Sequence, residues 1–145
     1  MSAPSSRGPI RGQVEIAGTA AGDILKLTKP ISFWGGVDAK TGRISDPRHP
    51  QHGVSIGGKI LVLPGMIGSS SASYVLTELL MDGNGPAALV IPEPDAILPL
   101  AVIVAREMGW GAIPVLLLPL ADQARLATGV RATVAADGRI EVGGA

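Results

Sequence analysis

Apolar and polar positions divide the chain into a sharply patterned centre and less regular flanks. Lys59-Ile60-Leu61-Val62-Leu63 is a short apolar run that Pro64-Gly65 stops. After Gly68-Ser69-Ser70-Ser71, the residues Val75, Leu76, Leu79 and Leu80 fall at the spacing of one buried helical face, and Asp82-Gly83-Asn84-Gly85 closes that helix. Ala87-Ala88-Leu89-Val90-Ile91 reads as a second buried strand. Residues 95–108 read as a second helix, capped by Asp95 and ended by Gly109, with Pro99 near the first turn, where a missing N–H is tolerated. Ile113-Pro114-Val115-Leu116-Leu117-Leu118 is a third buried strand. Uniformly apolar strands alternating with helices predict a small parallel βαβαβ sheet with helices packed on it.

The flanks read differently. Gln13-Val14-Glu15-Ile16 alternates polar and apolar, as a half-buried strand does. Residues 18–22 read as a turn, and Ile24-Leu25-Lys26-Leu27 as a second strand ended by Pro30. A long loop is expected over residues 39–58. Arg131-Ala132-Thr133-Val134 and Ile140-Glu141-Val142 flank Asp137-Gly138, which predicts a hairpin. The fold class is therefore α/β, a parallel centre flanked by antiparallel strands. Residues 1–9, rich in Ser, Pro and Gly, read as a flexible N-terminal arm, and residues 10–145 as a single domain.

Composition narrows the function classes. With 145 residues, 46% of them hydrophobic, and a mean hydropathy of +0.37, one domain can bury a core without metals or disulfides. Only 3% is aromatic, so that core is aliphatic. Twelve Lys+Arg balance 12 Asp+Glu with no basic run, which argues against an electrostatic grip on nucleic acid. The longest apolar stretch, residues 96–105, is about half of the roughly 20 residues that a membrane helix needs, so no membrane association is expected. The N-terminal residues lack the apolar region of a secretory signal, and cytoplasmic localisation is the default expectation. Cysteine is absent, so the chain supplies no thiolate to zinc or to an iron–sulfur cluster, and no metal site is assigned to it.

Three segments carry candidate chemistry. The first, Pro64-Gly65-Met66-Ile67-Gly68-Ser69-Ser70-Ser71-Ala72-Ser73, lies between a buried strand and a helix. Ligands of open α/β sheets bind at the carboxyl ends of strands, and a helix start offers free N–H groups and partial positive charge to an anion. It is not a P-loop, for no Lys follows the second Gly, nor a Gly-x-Ser-x-Gly nucleophile turn. Its structural reading is a serine N-cap with filler. The second segment, Phe33-Trp34-Gly35-Gly36-Val37-Asp38, sets two aromatics beside paired glycines, as either a pocket wall or a hydrophobic plug with a turn. The third, residues 41–53, is long, polar and Pro-rich, and includes Asp46, His49 and His52. The two histidines are three apart, a metal-chelating spacing on a helix, but Pro47 and Pro50 argue against a helix. Solvated loop histidines are the alternative.

As an ordered set, these segments resemble the small subunit of aconitase X, a branch of the aconitase superfamily. The resemblance rests on Phe33-Trp34-Gly35-Gly36-Val37-Asp38, Thr41-Gly42-Arg43-Ile44 with Asp46 and His49-Pro50, Gly57-Gly58-Lys59-Ile60-Leu61-Val62-Leu63-Pro64, Gly68-Ser69-Ser70-Ser71-Ala72-Ser73, Pro86-Ala87-Ala88-Leu89-Val90-Ile91 and Glu93-Pro94-Asp95. It spans roughly residues 10 to 142. It implies the swivelling β/β/α fold and a hydro-lyase built from a large and a small subunit, with an iron–sulfur cluster in the large one. Bacterial members resemble cis-3-hydroxy-L-proline dehydratase, which yields Δ1-pyrroline-2-carboxylate; archaeal members resemble phosphomevalonate dehydratase.

Aconitase carries Gly-Ser-Ser-Arg at the matching turn, its first serine acting as base. Carried over, the resemblance implies Ser69 as the catalytic base and Gly68, Ser70 and Ser71 as substrate-binding, with Phe33 and Trp34 facing substrate or partner. Asp46, His49 and His52 would belong to a loop or interface. Ser71 stands where aconitase has arginine, so carboxylate binding would fall to the helix start or the large subunit. Ile67 stands where many relatives have a basic residue, which disfavours a phosphorylated substrate. The expected partners are a large catalytic subunit and a small hydroxy acid. Two other classes are a phospho-carrier module, which would need a histidine at the Gly-rich turn, and a non-catalytic binding protein.

Overall fold

The structure is a computed structural model that describes residues 9–65, 71–111 and 113–143. Its strands are β1 (Ile10–Arg11), β2 (Gln13–Ile16), β3 (Ala20–Lys26), β4 (Ile60–Val62), β5 (Ala88–Ile91), β6 (Val115–Leu117), β7 (Arg131–Val134) and β8 (Arg139–Val142). The helical segments are the single turns α1 (Phe33–Gly36) and α4 (Leu120–Gln123) and the longer α2 (Ala72–Asp82) and α3 (Leu98–Met108). The strand order is β1-β8-β7-β3-β4-β5-β6-β2.

The centre is the expected parallel unit. Strands β3, β4, β5 and β6 run parallel in sequence order, with Ile60 opposite Ala88 and Leu89 opposite Val115. Every residue of β4, β5 and β6 is buried, because both faces of this sheet are covered. On one face Leu61, Leu63, Leu89 and Ile91 pack with Val75, Leu76 and Leu79 of α2 and with Ala101, Val102 and Ala105 of α3. On the other, Ile60, Val62, Val90 and Leu116 meet Ala132 and Val134 of β7 and Ile140 of β8. The result is three layers, antiparallel strands on a parallel sheet on helices.

Two segments serve both sheets. Residues 20–23 of β3 pair antiparallel with β7, and residues 24–26 pair parallel with β4. At the opposite side, β1 pairs with β8 and β2 pairs with β6, and Gly12 alone separates β1 from β2. The two ends of the strand order are thus consecutive in the chain, and this ribbon joins the outer strand of one sheet to the outer strand of the other.

The turn expected over residues 18–22 is instead largely strand. Ala20, Ala21 and Gly22 pair with Val134, Thr133 and Ala132. Gly22 serves a close approach and not a reversal: a Cβ there would stand 2.5 Å from the Gly58 carbonyl oxygen. The second helix begins at Leu98, three residues later than Asp95, although Asp95 does cap it: its Oδ2 accepts from the N–H groups of Ile97 (3.1 Å) and Leu98 (2.8 Å). Gly83 and Gly109, both left-handed, end α2 and α3 as expected. No helix among the described residues is long and apolar enough to cross a membrane.

Candidate functional site

The carboxyl ends of the parallel strands gather the segments that the sequence marks for chemistry. The Leu63 N–H donates to the Val90 carbonyl at 2.9 Å, the last sheet bond before Pro64-Gly65 turns away. Gly68, Ser69 and Ser70 lie outside the described residues; Gly65 and Ser71 bracket them. Ser71 directly precedes α2, and its side chain makes no capping hydrogen bond. Its hydroxyl is therefore not spent on the helix. The first turn of α2 has no acidic residue to oppose an incoming anion.

Beneath this turn lies a buried amide that sequence reasoning passed over. Gln123 is 3% exposed, and its Nε2 donates to the carbonyls of Leu63 (3.0 Å) and Leu118 (3.1 Å). It ties the end of β4 to the end of β6 and so fixes where the Pro64-Gly65 turn begins. Its only sequence signal is a polar residue three before Leu126, itself a core residue.

The second segment folds so that its two aromatics part. Ser32 and Trp34 are extended, and Gly35 takes φ +78°, so α1 is a kinked turn and not a regular helix. Phe33 is fully buried among the helix-side core residues. Trp34 is 62% exposed. Of the pair, only Trp34 faces a ligand-accessible surface; Phe33 is the plug that holds the turn.

The third segment is stapled to the end of β3. The Gln51 side chain accepts from the Thr28 N–H at 3.0 Å and donates to the Lys26 carbonyl at 3.1 Å. His49 is buried, with Nε2 3.1 Å from the Lys29 carbonyl oxygen and Nδ1 accepting from the Gln51 N–H at 3.0 Å. An amide N–H only donates, so the ring proton sits on Nε2 and donates to Lys29. Both nitrogens are occupied, and His49 is a structural residue of the loop, not a solvated one. His52 is exposed. No three His, Cys, Asp or Glu among the described residues are grouped to hold a metal ion.

Segments two and three meet. The Ser45 N–H donates to the Gly36 carbonyl at 2.8 Å and the Ser45 hydroxyl to the Gly35 carbonyl at 3.2 Å. Between them opens a cavity of about 400 Å³, lined by Pro30, Trp34, Gly35, Asp46, Pro47 and Arg48 among others. That volume is in the range of small-ligand sites. Gly65 approaches Pro30, since a Cβ on Gly65 would lie 3.6 Å from Pro30 Cγ, so the cavity adjoins the chain leaving β4. Arg48 is the wall residue that sequence reasoning missed; its place in the Asp46–His49 run was the available signal. A hollow of about 100 Å³ beside Gly65 is lined by Pro92, Glu93, Pro94 and Asp95 at the end of β5. Another, of about 370 Å³, lies by the β7–β8 hairpin near Pro9 and Arg125, away from these strand ends.

Within the cavity wall, Asp46 Oδ1 accepts from the Arg48 N–H at 2.9 Å and stands 3.5 Å from Arg48 Nε. That backbone bond, with the nearby guanidinium, holds the Asp46 carboxyl below its ordinary value, so it is anionic at neutral pH.

A parallel sheet with helices on one face and an antiparallel layer on the other defines a swivelling β/β/α domain. The aconitase X swivel domain model matches residues 9–142, and the chain belongs to that family. The holo-form crystal structure of aconitase X from Thermococcus kodakaraensis superposes with a TM-score of 0.81 at 34% identity, covering 93% of this chain and 98% of that one. A cis-3-hydroxy-L-proline dehydratase from Pseudomonas aeruginosa is 42% identical over 69% of this chain, which spans only 17% of that protein's length. A phosphomevalonate dehydratase small subunit from Thermococcus gammatolerans is 37% identical, over 92% of this chain and 96% of its own.

Proposed function

We propose that this chain is the small subunit of an aconitase X type dehydratase that removes water from cis-3-hydroxy-L-proline to give Δ1-pyrroline-2-carboxylate, acting with a large catalytic subunit. The observation that carries the dehydratase reading is the Gly68–Ser71 run, which falls in sequence between β4 and α2 in a chain whose relatives are named dehydratases. The uncharged Ile67 beside that run favours the imino acid over a phosphorylated substrate.

In this reading Ser69 removes the substrate proton. A serine is a poor base in water and serves only where its alkoxide is stabilised. The amide groups and partial positive charge at the start of α2 are such a stabilising field, strongest once a partner surface excludes water. Ser70 and Ser71 bind substrate, and Ser71 enters with its hydroxyl free of capping. Without cysteine, this chain has no thiolates to hold an iron–sulfur cluster, so any cluster belongs to the large subunit. The domain would close onto that subunit to complete a shared site.

A second reading has one observation in its favour: the matching phosphomevalonate dehydratase small subunit is nearly coextensive with this chain. Anaerobic co-expression with the cognate large subunit, followed by assay of cis-3-hydroxy-L-proline and mevalonate 5-phosphate, separates the two. Turnover of the imino acid only when both chains are present is the expected result. Turnover of the phosphate alone would overturn the substrate assignment, and turnover of neither would overturn the dehydratase reading.

A further inference from the structure

We propose that the cavity between Trp34 and the Asp46–Arg48 turn is the subsite that reads substrate charge: Arg48 takes the carboxylate of a zwitterionic imino acid, and Asp46 with the face of Trp34 takes its ammonium. The inference rests on the dehydratase reading and names the residues that would select its substrate.

The cavity sets a cation and an anion side by side. Asp46 and Arg48 are 3.5 Å apart, and Arg48 uses only its Nε toward Asp46. Among the described residues, neither terminal amino group of Arg48 and not the second carboxylate oxygen of Asp46 has a partner. A free guanidinium edge matches a carboxylate with two parallel hydrogen bonds. A free carboxylate oxygen suits a secondary ammonium through an ion pair, and the exposed indole of Trp34, which lines the same cavity, offers a cation–π contact. In an α-imino acid these two charges are carried on one α-carbon of a small molecule, and in this wall the opposite charges stand 3.5 Å apart. Pro30, Pro47 and Gly35 complete the cavity with apolar surface for a saturated ring.

The backbone of the wall is held in place before any ligand arrives, while the Arg48 side chain is 91% exposed and, among the described residues, reaches only Asp46. Ser45 ties the Trp34 turn to the segment that carries Asp46, and His49 and Gln51 tie the other end of the loop to the chain at and just after the end of β3. A phosphorylated hydroxy acid brings negative charge only. It satisfies Arg48 but leaves Asp46 facing a like charge, so the same pair that accepts a zwitterion disfavours a polyanion.

The test uses the two-subunit complex with the small chain labelled at its tryptophan indole nitrogens, and L-proline as an unreactive zwitterionic probe. A Trp34→Phe variant assigns the Trp34 resonance. L-Proline is expected to shift that resonance saturably. Arg48→Ala and Asp46→Asn should each weaken binding by about tenfold or more, with Arg48→Lys keeping part of it. Mevalonate 5-phosphate should bind more tightly to Asp46→Asn than to the unaltered complex. A Trp34 resonance that L-proline leaves unmoved, or a shift that survives both variants undiminished, would overturn the subsite. Imino acid turnover with KM unchanged in both variants would also overturn it while leaving the dehydratase reading standing. Saturable proline binding in a complex that dehydrates neither substrate would support the subsite and overturn the reading on which it was built.

Discussion

Gly12 and Gly138 close the two sheets by backbone contact alone. The Gly12 N–H donates to the Gly138 carbonyl at 2.9 Å, and a Cβ on Gly138 would collide with the Gly12 carbonyl oxygen. Gly12 is confined too, though less tightly, since its own Cβ would stand 2.9 Å from that of Leu116. The seam admits no side chain from either residue.

Gly138→Ala should therefore cost more than a positive φ alone explains. Gly129 provides the comparison: its φ is +91° against +92° at Gly138, but nothing lies within 4 Å of its Cβ position. Gly129→Ala is expected to cost about 1 kcal/mol, the backbone penalty, and Gly138→Ala about 2–4 kcal/mol. Urea unfolding of the two variants measures the difference. Equal losses would mean that the seam is looser than described.

Removing the Gln123 side chain should be felt at the site as well as in stability. Gln123→Ala leaves the Leu63 and Leu118 carbonyls without their donor, at an expected cost of about 1–3 kcal/mol. Gln123→Leu restores volume but not hydrogen bonds and should recover only part of the loss. Thermal unfolding gives the stability, and turnover of the assembled complex gives the effect on the turn after β4.

Stability should fall in mild acid partly through Asp137. The Arg139 N–H donating to Asp137 Oδ1 (3.1 Å), with Arg11 3.3 Å from Oδ2, holds this carboxyl below its ordinary value of 3.8. The unfolded chain then binds the proton more tightly than the folded one. The contribution is present above the ordinary carboxylate value and is lost as pH falls through the lower folded value. Asp46 acts in the same direction. Asp137→Asn should flatten the decline in unfolding free energy between about pH 5 and pH 3. An unchanged slope would contradict the assignment.

The serine run separates catalysis from folding. Ser69→Ala should lower turnover by about a hundredfold or more while the subunits still associate. Near-normal activity would remove Ser69 as the base. Ser71→Ala should leave the unfolding midpoint nearly unchanged, because its hydroxyl caps nothing.

What could be read in advance follows from how local each signal is. Strands β4, β5 and β6 and helices α2 and α3 announce themselves because a sheet covered on both faces demands unbroken apolar runs. The β7–β8 hairpin is written in Asp137-Gly138. The first half of β3 is not legible: Gly22 is bare for a contact with Gly58 far along the chain, and beside it Ala20 and Ala21 are small, so the stretch reads as a turn. The pairing of Ile10 with Ile140 has no local trace. At the site, the Gly-Ser run and Trp34 stand out by residue type. The parting of Phe33 from Trp34 depends on the φ of Gly35, and the structural duty of His49 depends on a carbonyl twenty residues earlier.

The closing ribbon also bears on the order in which the molecule can assemble. Ile10–Arg11 has its partner in Arg139–Val142, far later in the sequence, and Gln13–Ile16 waits for Val115–Leu117. Neither can be satisfied until those distant partners have been made, and contacts so distant along a chain form slowly against the entropy of the intervening loop. The β1–β2 ribbon is thus among the last pieces of this fold to be paired. Until it docks, β6 and β8 offer open edges to any neighbouring strand, which makes newly made protein the form most exposed to aggregation.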